Sequence, residues 1–167
     1  LDRDGNDWIN HHPEGGSAGN YRGIPNLVNP DNFFHPGAHC CQTHLLECTG
    51  DRAVLESRTT DDDWVVRWEI FPEYALITIL KTPNSRHYWF LYEGTPGGAL
   101  DLQNDRWIRS DGRSGTMNEN WVEDIPAPEW IAFADQKLGR SLFLYSLEDD
   151  PHPDSFWQMQ ENMTVFG

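Results

Sequence analysis

The chain has no apolar run approaching the ~20 residues that cross a bilayer as a helix. No charged, apolar and small-residue leader marks a secretory signal. Basic residues are scarce: 12 Lys and Arg stand against 27 Asp and Glu, a net charge of -15. Nucleic acid is bound through a cationic footprint that displaces counterions, so the balance argues against nucleic acid as a partner. There are only three cysteines, Cys40, Cys41 and Cys48. An odd count excludes a fully paired framework, although one local bridge from Cys40 or Cys41 to Cys48 would leave a single thiol.

Several catalytic signatures are also missing. No G-x-S-x-G occurs, so a serine nucleophile on an elbow has no support. "GTPGG" after Glu93 is followed by no Lys-Ser/Thr and opens no helix, which excludes a phosphate-cradling loop. No E-x-D-x-x-E places two carboxylates along one strand. No sustained 3.6-residue apolar period is found, and no internal repeat.

What remains is aromatic and alternating. The 167 residues include 8 Trp, 8 Phe and 5 Tyr. From about Arg52 onward the apolar period is two. In "DWVVRWEIF", Trp64, Val66, Trp68 and Ile70 share one face, and Val65, Arg67, Glu69 and Phe71 the other. "YALITILK" follows Pro72-Glu73, which predicts a tight hairpin. "RHYWFLYE", "DRWIRS", "EWIAFAD", "SLFLYSL" and "NMTVF" are further strands. "SDGRSG", "PAP", "QKLG" and "EDDPHPD" separate them, rich in residues that supply a positive or fixed φ. "THLLEC" reads as one helical turn. The expected fold is all-β, an antiparallel β-sandwich of jelly-roll or lectin-like type. It is read as a single domain over 1–167. Residues 1–50 form a loop-rich covering segment and 51–167 a strand-rich core. The chain begins with Leu and stops in a strand-like "NMTVFG", so the natural polypeptide is expected to continue.

Four chemistries suit these residues. The first is sugar contact, in which an indole or phenol stacks on the C–H face of a pyranose and polar side chains bond its hydroxyls. Trp8, Tyr21, Trp89, Trp107, Trp121, Trp130 and Trp157 are candidates, and the polar flanks of Trp121 in "NENWVED" predict an exposed platform. Trp107, Tyr88 and His35 join it as ligand contacts, while Trp64 and Trp68 alternate with Val66 and Ile70 and read as core. The second is glycoside hydrolysis, with Glu69 and Glu93 as a carboxylate pair on strands flanking a common neighbour. The third is β-elimination of an acidic polysaccharide, for which "RHYW" supplies Arg86, His87 and Tyr88 as cation and base. The fourth is metal binding. "DRDGND" places Asp2, Asp4, Asn6 and Asp7 around Gly5, a fragment of a calcium loop that lacks its closing Glu. His35 and His39, with Cys40, His44 and Cys48 nearby, are candidate transition-metal ligands. Asn162 opens a formal N-M-T glycosylation sequon.

"YWFLYEGTPGG", "PEWIAFAD", "NMTVFG", "DRDGNDWI" and "GGSAGNYRGIPNLVNPDNFFHPG" together resemble β-sandwich modules of secreted bacterial proteins linked to polysaccharide breakdown. The resemblance covers nearly the whole chain and carries over no functional residue. It implies export and contact with a polysaccharide. A binding module, a carbohydrate-cleaving enzyme, and an assembly protein whose final strand pairs with another chain are the three functional classes expected.

Overall fold

The computed structural model describes residues 26–28, 41–83, 88–92, 100–159 and 163–167. Thirteen strands are described: β1 (Asn26–Val28), β2 (Cys41–Cys48), β3 (Ala53–Thr59), β4 (Val65–Ile70), β5 (Ala75–Lys81), β6 (Trp89–Tyr92), β7 (Arg106–Arg109), β8 (Ser114–Thr116), β9 (Trp121–Glu123), β10 (Trp130–Asp135), β11 (Arg140–Tyr145), β12 (Asp154–Met159) and β13 (Met163–Phe166). No helix occurs among the described residues, so none is long and apolar enough to cross a membrane. The fold is all-β, with three antiparallel sheets. The chain divides into two compact units, one from Leu1–Asn26 with Trp89–Gly167 and the other Leu27–Tyr88.

The 27–88 unit holds a four-stranded meander, β2-β3-β4-β5. Each strand follows the last through a short turn, because Thr49–Arg52, Thr59–Trp64 and Phe71–Tyr74 close on themselves. Phe71 N–H donates to Tyr74 O at 2.9 Å, and the two rings stack at 4.7 Å. Thr59 Oγ1 accepts the N–H groups of Asp63 and Trp64 in the turn before β4. The alternation expected of β4 is present. Arg67 lies opposite Glu56 and bonds it at 2.9 Å, while Trp68 lies opposite Leu55. One face is therefore an ionic lattice. Glu56 takes both Arg58 and Arg67, and Arg52 takes Glu47 and Glu69. The other face carries the row Leu45, Leu55, Trp68 and Ile77, directly opposed across four strands.

Two expectations change here. "THLLEC" is not a helical turn but the body of β2, paired with β3 from Cys41↔Thr59 to Cys48↔Ala53. The ladder slips between Leu45 and Glu47, so Leu46 is absorbed in a bulge. Two adjacent leucines had hidden the alternation that the pairing restores. Cys41 and Cys48 also stand at opposite ends of this strand, about 23 Å apart at ~3.3 Å per residue. A disulfide needs Cα atoms within ~7 Å, so no Cys41–Cys48 bridge forms. Cys48 carries a free thiol.

The 89–167 unit stacks two sheets, β6-β13-β12-β9 and β11-β10-β7-β8. Its core draws Trp121, Phe156 and Phe166 from the first and Trp107, Ile131 and Phe133 from the second, with Met117 and Ile125 between strands. The inward row Phe90, Phe166, Phe156 and Trp121 runs in register across four strands. Gly112 at φ 84° and Gly139 at φ 64° turn the β7–β8 and β10–β11 hairpins, in the "SDGRSG" and "QKLG" separators. "EDDPHPD" ends one residue earlier than a pure turn would, since Asp154 already pairs with Glu123. The final strand β13 lies between β6 and β12, so both of its edges are paired and it offers none to another chain.

Candidate functional site

Alternation along β10 and β11 builds an aromatic face on the outside of the second sheet. Ile131 and Phe133 point into the core. Trp130 and Ala132 therefore point away, as do Phe143 and Tyr145, while Leu142 and Leu144 pack inward. Register sets Trp130 opposite Tyr145, and Ala132 opposite both Phe143 and Ile108. Phe143 is 55% exposed and Tyr145 51%. The Trp130 and Phe143 rings lie 5.2 Å apart at 36°. The methyl of Ala132 sits between Phe143 and Ile108, so the larger side chains stand above it as rails. Ser141, Arg106 and Thr116 continue the same rows as a polar margin. Glu119 beside it is fixed by Thr116, whose N–H and hydroxyl hold its carboxyl below the usual range.

A second concavity lies at the other sheet's β9 edge. It is an open groove of about 430 Å³ lined by Asn120, Trp121, Val122, Ser155, Phe156 and Trp157. Trp157 meets Trp89 edge-on at 4.3 Å.

At one end of this unit the interior is ionic. Arg109, on β7, is only 2% exposed. It bonds Glu123 on β9 at 3.0 Å and Asp111 at 2.7 Å, and lies 4.6 Å over the Trp121 ring. It thus ties one sheet to the other. Arg113 also bonds Glu123, and together the two cations hold that carboxyl below the usual range. Asp154 and Glu129 lie at the same end. Burial, with Asp154, Asp150, Asp149 and Asp124 around it, pushes Glu129 up to about 7. Burial also pushes Asp154 up to about 6, against the opposing pull of the Ile125 N–H and Arg109.

The residues expected from sequence fall into three groups. Trp107 and Trp121 are corrected: both are buried, in edge contact at 5.7 Å, and Trp121 also packs on Phe156 and Phe166. In β9 it is Val122 that faces out, and the polar residues around Trp121 belong to the turn and to the ionic end. Glu69 sits on the ionic face of β4 with its carboxylate bonded by Arg52, and Tyr88 is exposed just before β6. Glu93, Arg86, His87, His35, His39, Asp2, Asp4, Asn6 and Asp7 lie outside the described residues. Among the described residues no group of three or more His, Cys, Asp or Glu is placed to hold a metal ion. Trp130 and Trp157 were among the aromatic candidates. Phe143 and Tyr145 were missed, because "SLFLYSL" is apolar at nearly every position and period two cannot choose a face for it. No protein-family model, curated protein or solved structure matches the chain.

Proposed function

We propose that the chain is a carbohydrate-binding module, contacting a neutral polysaccharide through the outer face of the β11-β10-β7-β8 sheet. One observation carries this reading: Trp130, Phe143 and Tyr145 lie together on a regular sheet face with polar side chains at its margin. Rigid rings on a regular sheet stack on sugar C–H faces at little entropic cost. The net charge of -15 disfavours a polyuronate, so the ligand is neutral. A jelly-roll or lectin-like topology, secretion or an extracytoplasmic setting, and a calcium ion at the Asp2–Asp7 turn belong to the same proposal.

The expected result is retention on an insoluble or gel-immobilised neutral glycan. A Phe143→Ala, Tyr145→Ala double variant should bind at least tenfold more weakly, a loss of about 1.4 kcal/mol or more. Both side chains are exposed, so its melting temperature should stay near that of the parent. Affinity electrophoresis across a polysaccharide panel checks this, and equal retention of parent and variant would remove the face from consideration.

A carbohydrate-cleaving enzyme is the second reading, favoured by Glu129. A carboxyl pushed up to about 7 is in the range where it donates a proton at neutral pH. Scoring the same panel for new reducing ends separates the two readings.

A further inference from the structure

The segment from Asp124 to Trp130 crosses the ionic end of the 89–167 unit and is fastened almost wholly through its backbone. Glu129 O accepts the N–H of Ser146 at 3.0 Å, and Trp130 O that of Ser110 at 3.1 Å. Pro126 O accepts the Ser110 hydroxyl at 3.3 Å, and Asp124 O accepts Arg109 Nη2 at 3.4 Å. Ile125 is buried in the core, and its N–H donates to Asp154.

The charges around this segment are lopsided. Arg109 bonds Asp111 and Glu123, and Arg113 bonds Glu123, while Asp124, Asp149, Asp150 and Asp154 surround Glu129. Asp154 stands directly opposite Glu123 in the β12–β9 ladder, an in-register like-charge pair of the kind that destabilises a sheet. The buried guanidinium is already engaged by Glu123 and Asp111. When Asp154 and Glu129 ionise, their charges lack comparable compensation.

We propose that this carboxylate-lined end is a pH-dependent clasp. With Glu129 and Asp154 protonated, the 124–130 segment stays fastened between the two sheets. With both ionised, repulsion and desolvation outweigh the stronger bond that the Ile125 N–H then makes to Asp154, and the segment loosens. The displacement of both groups to about 7 and about 6 places the change just below neutrality. Trp130 ends the segment and begins β10, so loosening disturbs the aromatic face. That last consequence rests on the glycan reading; the clasp itself does not.

Hydrogen exchange of the Ser110 and Ser146 amides reads the clasp directly. Protection, corrected for intrinsic rates, should fall at least tenfold between about pH 5 and about pH 8. The Thr59 amide, which donates to Trp64 O in the other unit, should not follow. Glu129→Gln and Asp154→Asn should each flatten the response. His152→Gln should keep it, since His152 is exposed and holds Asp150 through its backbone N–H, at 2.7 Å, which the substitution leaves in place. Flat protection in the parent would overturn the clasp. So would an unaltered response in both carboxyl variants, or loss of the response in His152→Gln. If the clasp responds while no glycan is retained at any pH, the clasp stands and the glycan reading fails.

Discussion

Gly115→Ala is expected to destabilise the 89–167 unit by about 3 kcal/mol, the upper end of what one extra methyl costs in a packed interior. Gly115 lies on β8 directly opposite Trp107. A Cβ there would meet Trp107 Cζ2 at 2.5 Å, Cε2 at 2.7 Å and Glu119 Oε2 at 2.9 Å. The carboxylate can swing aside. The indole cannot, because it is buried and held by Trp121 at 5.7 Å and Phe156 at 6.5 Å. Either the ring moves and opens the core, or the three-residue β8 parts from β7. Urea denaturation should show a lower midpoint at unchanged slope. Gly112→Ala is the instructive control. It meets nothing within 4 Å, but at φ 84° it strains the backbone, with an expected cost of about 1 kcal/mol. Parental stability in Gly115→Ala would mean that the Trp107 ring is free to shift.

Arg109→Ala should cost a similar amount, about 3 kcal/mol, as is usual when one partner of a buried ion pair is removed. The guanidinium bonds Glu123 and Asp111 and covers Trp121. Its loss leaves a void beside the indole and an unrelieved group of carboxylates. The void term does not depend on pH, whereas the charge term does. Glu129 and Asp154 have folded pKa values raised above their ordinary ones. The stability they contribute is fully present in acid and is lost as pH rises, from about 4.5 to about 7 for Glu129 and from about 3.8 to about 6 for Asp154. Arg109 lowers the pKa of Asp154, so removing it enlarges this dependence. The variant should therefore lie closest to the parent near pH 5 and fall further behind toward about pH 8. Melting curves at the two pH values test this, and a penalty independent of pH would assign Arg109 a packing role alone. In the opposite direction, Glu119 and Glu123 are held below their usual range, so their contributions are lost as pH falls through those lowered values.

Much of the architecture was legible where charged and apolar residues alternate along a strand. In β4, Arg67 and Glu69 point to the ionic lattice while Val66 and Trp68 take the other face, although burial falls along the strand from Val65 and Val66 to Ile70. The turns were legible because Gly112, Gly139 and Pro72 leave few alternatives to a reversal. Legibility failed where both faces carry the same chemistry. β11 is apolar on both sides, and only its pairing with β10 shows that Phe143 and Tyr145 face out. Around Trp121 the local polarity pointed the wrong way, since Glu123 is polar yet reaches Arg109 between the sheets. The raised carboxyls were invisible for a related reason. Glu129 and Asp154 are 25 positions apart in the sequence, and β12 pairing with β9 sets Asp154 in the ionic end. Local pattern carries no information about which distant strand will pair.

The two units differ in how far along the chain their strands must search for partners. In β2-β3-β4-β5 every strand pairs with its neighbour in sequence, so each closure spans a short loop. The β6-β13-β12-β9 sheet instead joins β6 to β13 and β9 to β12. Closing loop after loop of that length costs more entropy before any contact repays it. On a ribosome the meander's last strand has been made by Lys81, long before β13 at Met163–Phe166 exists. The meander is therefore expected to form first, while β6 and β12 gain their shared neighbour only once the strand near residue 163 has been made.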